Sequence, residues 1–437
     1  MARVPQAPPP LPGDPNEIAR LIALRGSSSV RDEYLHWDKL RFRKPPEGMT
    51  VTEWWQICRL QRSLQQRPLP LLGTDGAPFT FQVPPQLQET LYHITMEGGA
   101  SVIAPDLAHS TGERDRRRTQ QLIEEAISSS LIEGAVTTRV EAERMLRSDR
   151  KPTTKSDRMI VNNYRAMRRL SELRDAALTP ELIRELQRTL TDGTLEHPEE
   201  AGRFRREEDR IVVADLQGIV YHRPPEARQL PERIERLCAF ANEKDATEFI
   251  HPVVRSILLH LWLAYDHPFT DGNGRVARAL FYWSMLRHGF WMIEHLSISR
   301  IIYRSKSSYY ESFLYVETDG NDATYFLLHQ ADVLMKAINE LRAYMKHRAG
   351  QRAEIDRRIA AQPGLNERQR ALLYHALSHP GYRYTIAEHQ QKCGVAYATA
   401  RWDLLDLANQ GLLLPSKEGR ALAFRPVADL EARVAVQ

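Results

Sequence analysis

The sequence predicts a mainly α protein of several domains: a helical core interrupted by one β-hairpin, an N-terminal extension, and a C-terminal winged helix-turn-helix domain. Three observations predict it. Apolar residues recur at helical spacing through most of the chain. The exception is a pair of β-branched runs, Ile211, Val212, Val213 and Ile219, Val220, Tyr221, which flank a turn from Asp215 to Gly218 and end at Pro224 and Pro225. Near the C-terminus, helices opened by Asn366 and Thr385 and a third over Ala398 to Gln410 precede LLLPSKEGRALAFRP, two short strands around a turn, and that order is the winged-helix pattern. A chain of 437 residues exceeds one compact core, and 42% hydrophobic with 27% charged residues is the composition of an ordinary soluble protein.

Charge and cysteine content exclude some function classes. The balance of 60 basic against 56 acidic residues, a net +4, argues by itself for no polyanion partner. Cys58, Cys238 and Cys393 lie far apart and match neither a metal spacing nor a disulfide framework, as suits a reducing cytosol. No apolar run reaches membrane-spanning length, and MARVPQAPPPLPGDP has no apolar signal core. A cytoplasmic location with no membrane partner is expected. Residues 1–15 read as a flexible Pro-rich leader.

Residues 16–105 form an N-terminal module. Ile18, Leu21, Ile22 and Leu24 mark one helix, and Trp54 to Leu60 a second with Thr52 as its cap. The aromatic and basic run YLHWDKLRFRKPP resembles a nucleic-acid surface in composition, but Trp37, Leu40 and Phe42 are spaced as the apolar side of a packed segment. The core follows over residues 106–345. Leu122, Ile123, Ala126, Ile127 and Leu131 give a helix over residues 115–134, closed by Gly134. Ser129 and Glu133 share one face of it. A carboxylate in a last turn faces the negative end of the helix dipole, so Glu133 calls for an outside cation. Thr138 with Glu141 opens a short helix to about Leu146, a basic loop runs from Arg147 to Lys155, and helices cover Val161 to Leu173 and, from Thr179 and Pro180, to about Leu190. The hairpin, a flap over residues 210–223, stands alone in helical surroundings. It either offers an edge to which a target strand can add or merely covers a core. Pro252 to Tyr265 is apolar on nearly every face, a central buried helix. His251 and His260 share no ligand spacing with His267, so no metal site is assigned to them. A helix over Ile298 to Phe313, a charged helix over Ala331 to Arg358, a linker over residues 346–364 with a boundary at Gln362, Pro363 and Gly364, and the winged helix over residues 365–437 complete the chain.

Folding alone does not account for His267 to Arg278, HPFTDGNGRVAR. Two glycines around an asparagine, followed at once by a helical run that ends near His288 and Gly289, aim the first free N–H groups of a helix into the turn, which favours an anion. Gly272, Asn273 and Gly274 make a phosphate cradle. Arg275 and Arg278, three apart, supply forked cations. Asp271 is the kind of ligand Mg²⁺ takes alongside substrate phosphates. His267 is placed as a general base, and Phe269 pins the loop to the core.

The string resembles the Fic family motif HxFx[DE]GNGRxxR at every specified position, and Ser129 to Gly134 resembles that family's inhibitory [ST]xxxE[GN] motif, with Ser129, Glu133 and Gly134 at its fixed positions. The resemblance implies a Fic-type helical core that transfers AMP from ATP, with Mg²⁺, onto a Ser, Thr or Tyr hydroxyl of a target protein and onto itself. It further implies that Glu133 pairs with Arg278 and blocks the γ-phosphate pose, that the hairpin positions the target, and that Tyr309 or Tyr310 stacks on adenine. The phosphorylating branch carries lysine where this chain has Gly274, which favours AMP transfer. The family also contains members that use other nucleotides or a phosphocholine donor and members that remove AMP. A different class stays open as well, a winged-helix DNA-binding regulator with a nucleotide-sensing core. Direct DNA binding is placed below protein docking or dimer contact, because Asp403 and Asp406 outnumber Arg401 on the third helix. Target identity and a homodimer are not legible in the residues.

Overall fold

The computed structural model describes residues 3–27, 32–98, 111–148, 150–215, 217–244, 248–361, 364–379, 381–418 and 421–436. The boundary expected at Gln362 and Pro363 and the tip of the C-terminal strand pair lie outside them. The chain forms two compact units, Met1–Val102 with Arg117–Asn339, and Ile103–Arg116 with Glu340–Gln437.

In the first unit, helices α1 (Pro15–Ser27), α2 (Trp37–Leu40) and α3 (Val51–Ser63) build the N-terminal extension. The α3 cap is Thr50, in a reciprocal box with Glu53, not Thr52. Trp37 and Leu40 are buried, as their spacing predicts, but Phe42 is 75% exposed. Strands β1 (Arg67–Leu72) and β2 (Pro78–Phe81) then pair antiparallel. Pro68 and Pro70 hide β1 from a strand reading. They occupy its exposed face while Leu69 and Leu71 point inward, the edge-strand use of proline. Helix α4 (Pro85–Gly98) follows. The extension is locked to the core by the buried Arg62, which bonds Asp32 at 2.7 Å and the Tyr325 hydroxyl at 2.7 Å, and by the Tyr34 hydroxyl, which donates to Asp322 at 2.7 Å.

The core then runs through α5 (Thr111–Ile132), α6 (Arg139–Arg147), α7 (Lys155–Glu172) and α8 (Pro180–Thr191). Helix α7 starts six residues before the apolar period is readable, because Thr154 and Asp157 form a capping box ahead of it. The flap is short, β3 (Val213–Ala214) against β4 (Val220–His222), with Val213 opposite His222. Helices α9 (Leu230–Ala241), α10 (Pro252–Asp266) and α11 (Asn273–Arg287) follow, and α10 and α11 form a helical hairpin whose side chains are almost all buried. The expected helix over Ile298 to Phe313 is two, α12 (Ile298–Arg304) and α13 (Lys306–Thr318), broken at Ser305. Helix α14 (Thr324–Ala361) leads out of the unit.

The second unit contains α15 (Glu367–Ser378), α16 (Ile386–Cys393), α17 (Tyr397–Asn409) and a small sheet in the order β5 (Tyr384–Thr385), β7 (Ala421–Pro426), β6 (Leu413–Glu418), closed by α18 (Leu430–Val436). The acid count on α17 does not describe its surface. Asp403 is fully buried and bonded to Asn366, Arg368 and His389, while Tyr397 and Trp402 are exposed. Among the described residues no helix is long and apolar enough to cross a membrane, and the three cysteines are unpaired.

Candidate active site

The α10 helix ends at His267, whose backbone takes the left-handed conformation (φ 46°, ψ 56°), a strained choice for a non-glycine residue. Neighbouring groups hold it there. Arg205 Nε donates to the His267 carbonyl at 2.8 Å, its terminal nitrogen donates to the Asp266 carbonyl at 3.2 Å and to the Pro225 carbonyl, and its own N–H donates to the Pro268 carbonyl at 2.8 Å. Beneath, the buried Asp266 accepts from Arg233 at 2.7 Å and from the Trp262 indole at 3.0 Å. Nothing periodic in the sequence marks Arg205, which sits in the string GRFR.

The His267 ring is partly buried, and Nδ1 lies 3.2 Å from the Ala264 carbonyl. A carbonyl only accepts, so Nδ1 carries the proton and Nε2 keeps a lone pair. Desolvation pushes the pKa down from 6.5 to about 4, opposed by the Ala264 bond. The imidazole is therefore neutral at physiological pH. Its folded pKa is depressed, so its contribution to stability is present above about 6.5 and lost as pH falls toward 4, where the unfolded chain takes the proton first. An imidazole NMR titration should show His267 unprotonated from pH 8 to 5; a midpoint near 6.5 would contradict this environment.

The loop after His267 is built as a rigid shelf. Phe269 is fully buried against Phe204, ring centroids 5.2 Å apart. Asn273 turns its amide back into the loop, accepting from Phe269 N at 2.9 Å and donating to Phe269 O at 2.8 Å. Its side chain thus shapes the loop from within. Gln187 on α8 donates to the Asp271 carbonyl at 3.1 Å and accepts from Gly202 N. Gly272 has φ 88°, and a Cβ there would come within 2.9 Å of Thr191. No side chain caps α11, so its first-turn amides remain donors without an intrahelical partner. Arg275, 1% exposed, donates to the Leu190 carbonyl at 2.8 Å and lies 3.2 Å from Asp271, whose side chain is 46% exposed.

Arg278 is also 1% exposed, and it meets α5. Its Nε donates to Ser129 Oγ at 2.9 Å, and one terminal nitrogen donates to the Ser129 carbonyl at 3.0 Å and to Glu133 Oε1 at 2.9 Å. Burial works against its charge, but Glu133, Tyr309 and Glu125 together outweigh it, and its pKa lies above the ordinary value. The other terminal nitrogen has no hydrogen-bond partner. The Glu133 carboxylate also lies against the first turn of α11, where a Cβ on Gly274 would strike Oε1. An anion thus already occupies the position that the helix N-terminus prefers. Two further groups fix this end of α5. Lys306 donates to the Ile132 carbonyl, and Gly134 closes the helix with φ 88°. Two turns back on the same face, the buried Glu125 accepts from Tyr282, Ser297 and Ser299, so a polar stripe Glu125, Ser129, Glu133 lies along Tyr282, Arg278 and Gly274. Neither Lys306 nor Glu125 stands out in the sequence.

Other expected residues lie differently. Tyr309 is 3% exposed, its hydroxyl bonded to His260 at 2.9 Å, so it packs in the core; Tyr310 is 38% exposed, with Lys306 Nζ 5.7 Å from its ring centre. In the flap, Val212 and Ile219 are exposed, Ile211 and Val213 half-buried, and Ile211 lies outside the paired strand. Val220 pairs with Ala214, and Tyr221, at the irregularity between the two strand pairs, donates to Asp215 at 2.9 Å. The flap is tied down by His222, whose ring bridges Glu317 at 2.9 Å and the Tyr265 carbonyl at 2.7 Å. No group of three or more His, Cys, Asp or Glu that could hold a metal occurs among the described residues.

An uncapped helix N-terminus, backed by two buried arginines, thus lies beside a neutral imidazole at the preceding helix end. Residues 177–285 match the model of the Fic/DOC family. Relatives named "Protein adenylyltransferase Fic" include one from Nematostella vectensis, 39% identical over 94 residues (22% of this chain, 20% of the relative), and one from Drosophila virilis, 30% identical over 166 residues (36% and 31%). The chain therefore spans a third or less of the length of these relatives. In fold it resembles a Fic family protein from Desulfovibrio desulfuricans (TM-score 0.51, 19% identity, 78% of this chain and 95% of that one) and a variant of Fic-1 from C. elegans (0.50, 20%, 68% and 78%).

Proposed function

We propose that this chain is an ATP-dependent protein adenylyltransferase restrained by Glu133. The observation that carries the reading is the open Nε2 of a neutral His267 beside the uncapped α11 N-terminus. The relatives named adenylyltransferase support the choice of nucleotide chemistry. The α11 amides at Gly272 to Gly274 hold the phosphates, with Arg275 and Arg278 behind them. A target hydroxyl gives its proton to His267 Nε2 while its oxygen bonds to the α-phosphorus; the α–β bridging bond breaks, and diphosphate leaves with the electron pair. Catalysis is mainly positioning and charge stabilisation. Asp271 is a single, half-exposed carboxylate, which fits Mg²⁺ completed by phosphate oxygens and water rather than by a protein cage. Bound there, the ion would neutralise phosphate charge. Tyr310 offers the base a stacking face, and the short hairpin of β3 and β4, with Val212 and Ile219 exposed beside it, offers a target main chain an edge to join.

The test uses ATP labelled at the α- or the γ-phosphate, in the presence of lysate. Covalent labelling of protein from the α-position alone supports AMP transfer. Labelling from the γ-position means phosphoryl transfer, and labelling from another nucleotide in preference to ATP overturns the donor assignment.

A further inference from the structure

A second basic site lies apart from the His267 loop. Helices α6 and α7, with Arg150, Lys151 and Pro152 ahead of α7, enclose a cavity of about 550 Å³ that is open to solvent on one side. Its wall carries five cations, Arg150, Lys151, Arg165, Arg168 and Arg169. The one carboxylate in the lining, Glu172, is already bonded to Arg169 at 2.7 Å, and among the described residues Arg165 reaches only Asp192, at 4.0 Å. Arg150, Lys151 and Arg168 have no ion-pair partner among the described residues. A run of cations on a convex helix face is ordinarily just solvated, but this one surrounds a hollow with an apolar floor. Met145, Leu146, Val161 and Tyr164 form that floor, and Arg168 lies 6.0 Å from the centre of the Tyr164 ring. The size is that of a small-molecule site.

We propose that this cavity binds a small phosphate-bearing ligand with a planar ring, of the nucleotide class. The ring rests on Tyr164 and the aliphatic floor, and the phosphates neutralise cations that otherwise repel one another. The cavity shares no residue with the loop around His267. Its floor belongs to the apolar cluster that includes Ile123 and Ile127 of α5, the helix that carries Glu133. The assignment does not rest on the proposed transferase activity.

Photo-crosslinking of the full chain with 8-azido-ADP, followed by peptide mapping, tests it directly. Saturable label is expected on residues 145–172, in addition to any around residues 267–310. The label on 145–172 should fall at least tenfold in the double variant Arg150→Glu, Arg168→Glu, two exposed positions at which folding can be checked by an unchanged Tm. Label confined to the His267 region, no label at all, or label on 145–172 that persists in the double variant would overturn the proposal.

Discussion

Replacing Glu133 by glycine is expected to raise self-labelling from α-labelled ATP by one to two orders of magnitude. The carboxylate does two things at once. It neutralises the buried Arg278 at 2.9 Å and lies against the first turn of α11, so a phosphate entering the site must displace an anion from both. A hydrogen bond to a charged group contributes about 1.5–3 kcal/mol, a factor of roughly 10 to 150 in occupancy. Removing it leaves Arg278 held by Ser129 through Nε and one terminal nitrogen, with its other terminal nitrogen unpartnered beside Gly274. The fold should tolerate the change, because a carboxylate in the last turn of a helix is unfavourable there and Gly134 still closes α5. Glu133→Gln, which keeps the shape and loses the charge, should fall between. Adding His267→Ala should abolish the signal. Equal labelling by the parent and Glu133→Gly would remove Glu133 from the control of this site.

How much of this was legible depends on how each residue is held. The shelf from His267 to Arg278 is contiguous, and its pattern of glycines, arginines and base at fixed spacing survives in a linear reading. Glu133 was legible by a different route, as a charge on the wrong end of a helix, although its distance from Arg278 became apparent only once α5 lay along α11. Arg205 and Gln187 escaped because both act on main-chain carbonyls and amides of remote segments, and such bonds leave no periodicity. Tyr309 and Tyr310 are indistinguishable by type; only the path of α13 turns one inward to His260 and the other outward. Strand β1 was masked by its own prolines, and Asp403 read as surface charge because a count of acids cannot show that Arg368, Asn366 and His389 enclose one of them.

Arg205 yields the other large effect. Its guanidinium bonds three carbonyls, those of Asp266, His267 and Pro225, and so determines where a residue with left-handed backbone presents its ring. It does not point at the reacting atoms, which makes it a positioning residue. Misplacement of a base by about 1 Å costs on the order of 100-fold in rate. Arg205→Ala, made in the Glu133→Gly background so that turnover is measurable, is therefore expected to lower kcat by about two orders of magnitude while the KM for ATP changes little, since the cradle amides and Arg278 are untouched. Stability should fall by about 2–3 kcal/mol as the buried carbonyls lose their donor, and the unchanged KM would show that the folded population still binds nucleotide. A loss of Tm with kcat preserved would mean that Arg205 only stabilises the fold, and that His267 keeps its place through Asp266 and the Ala264 carbonyl instead.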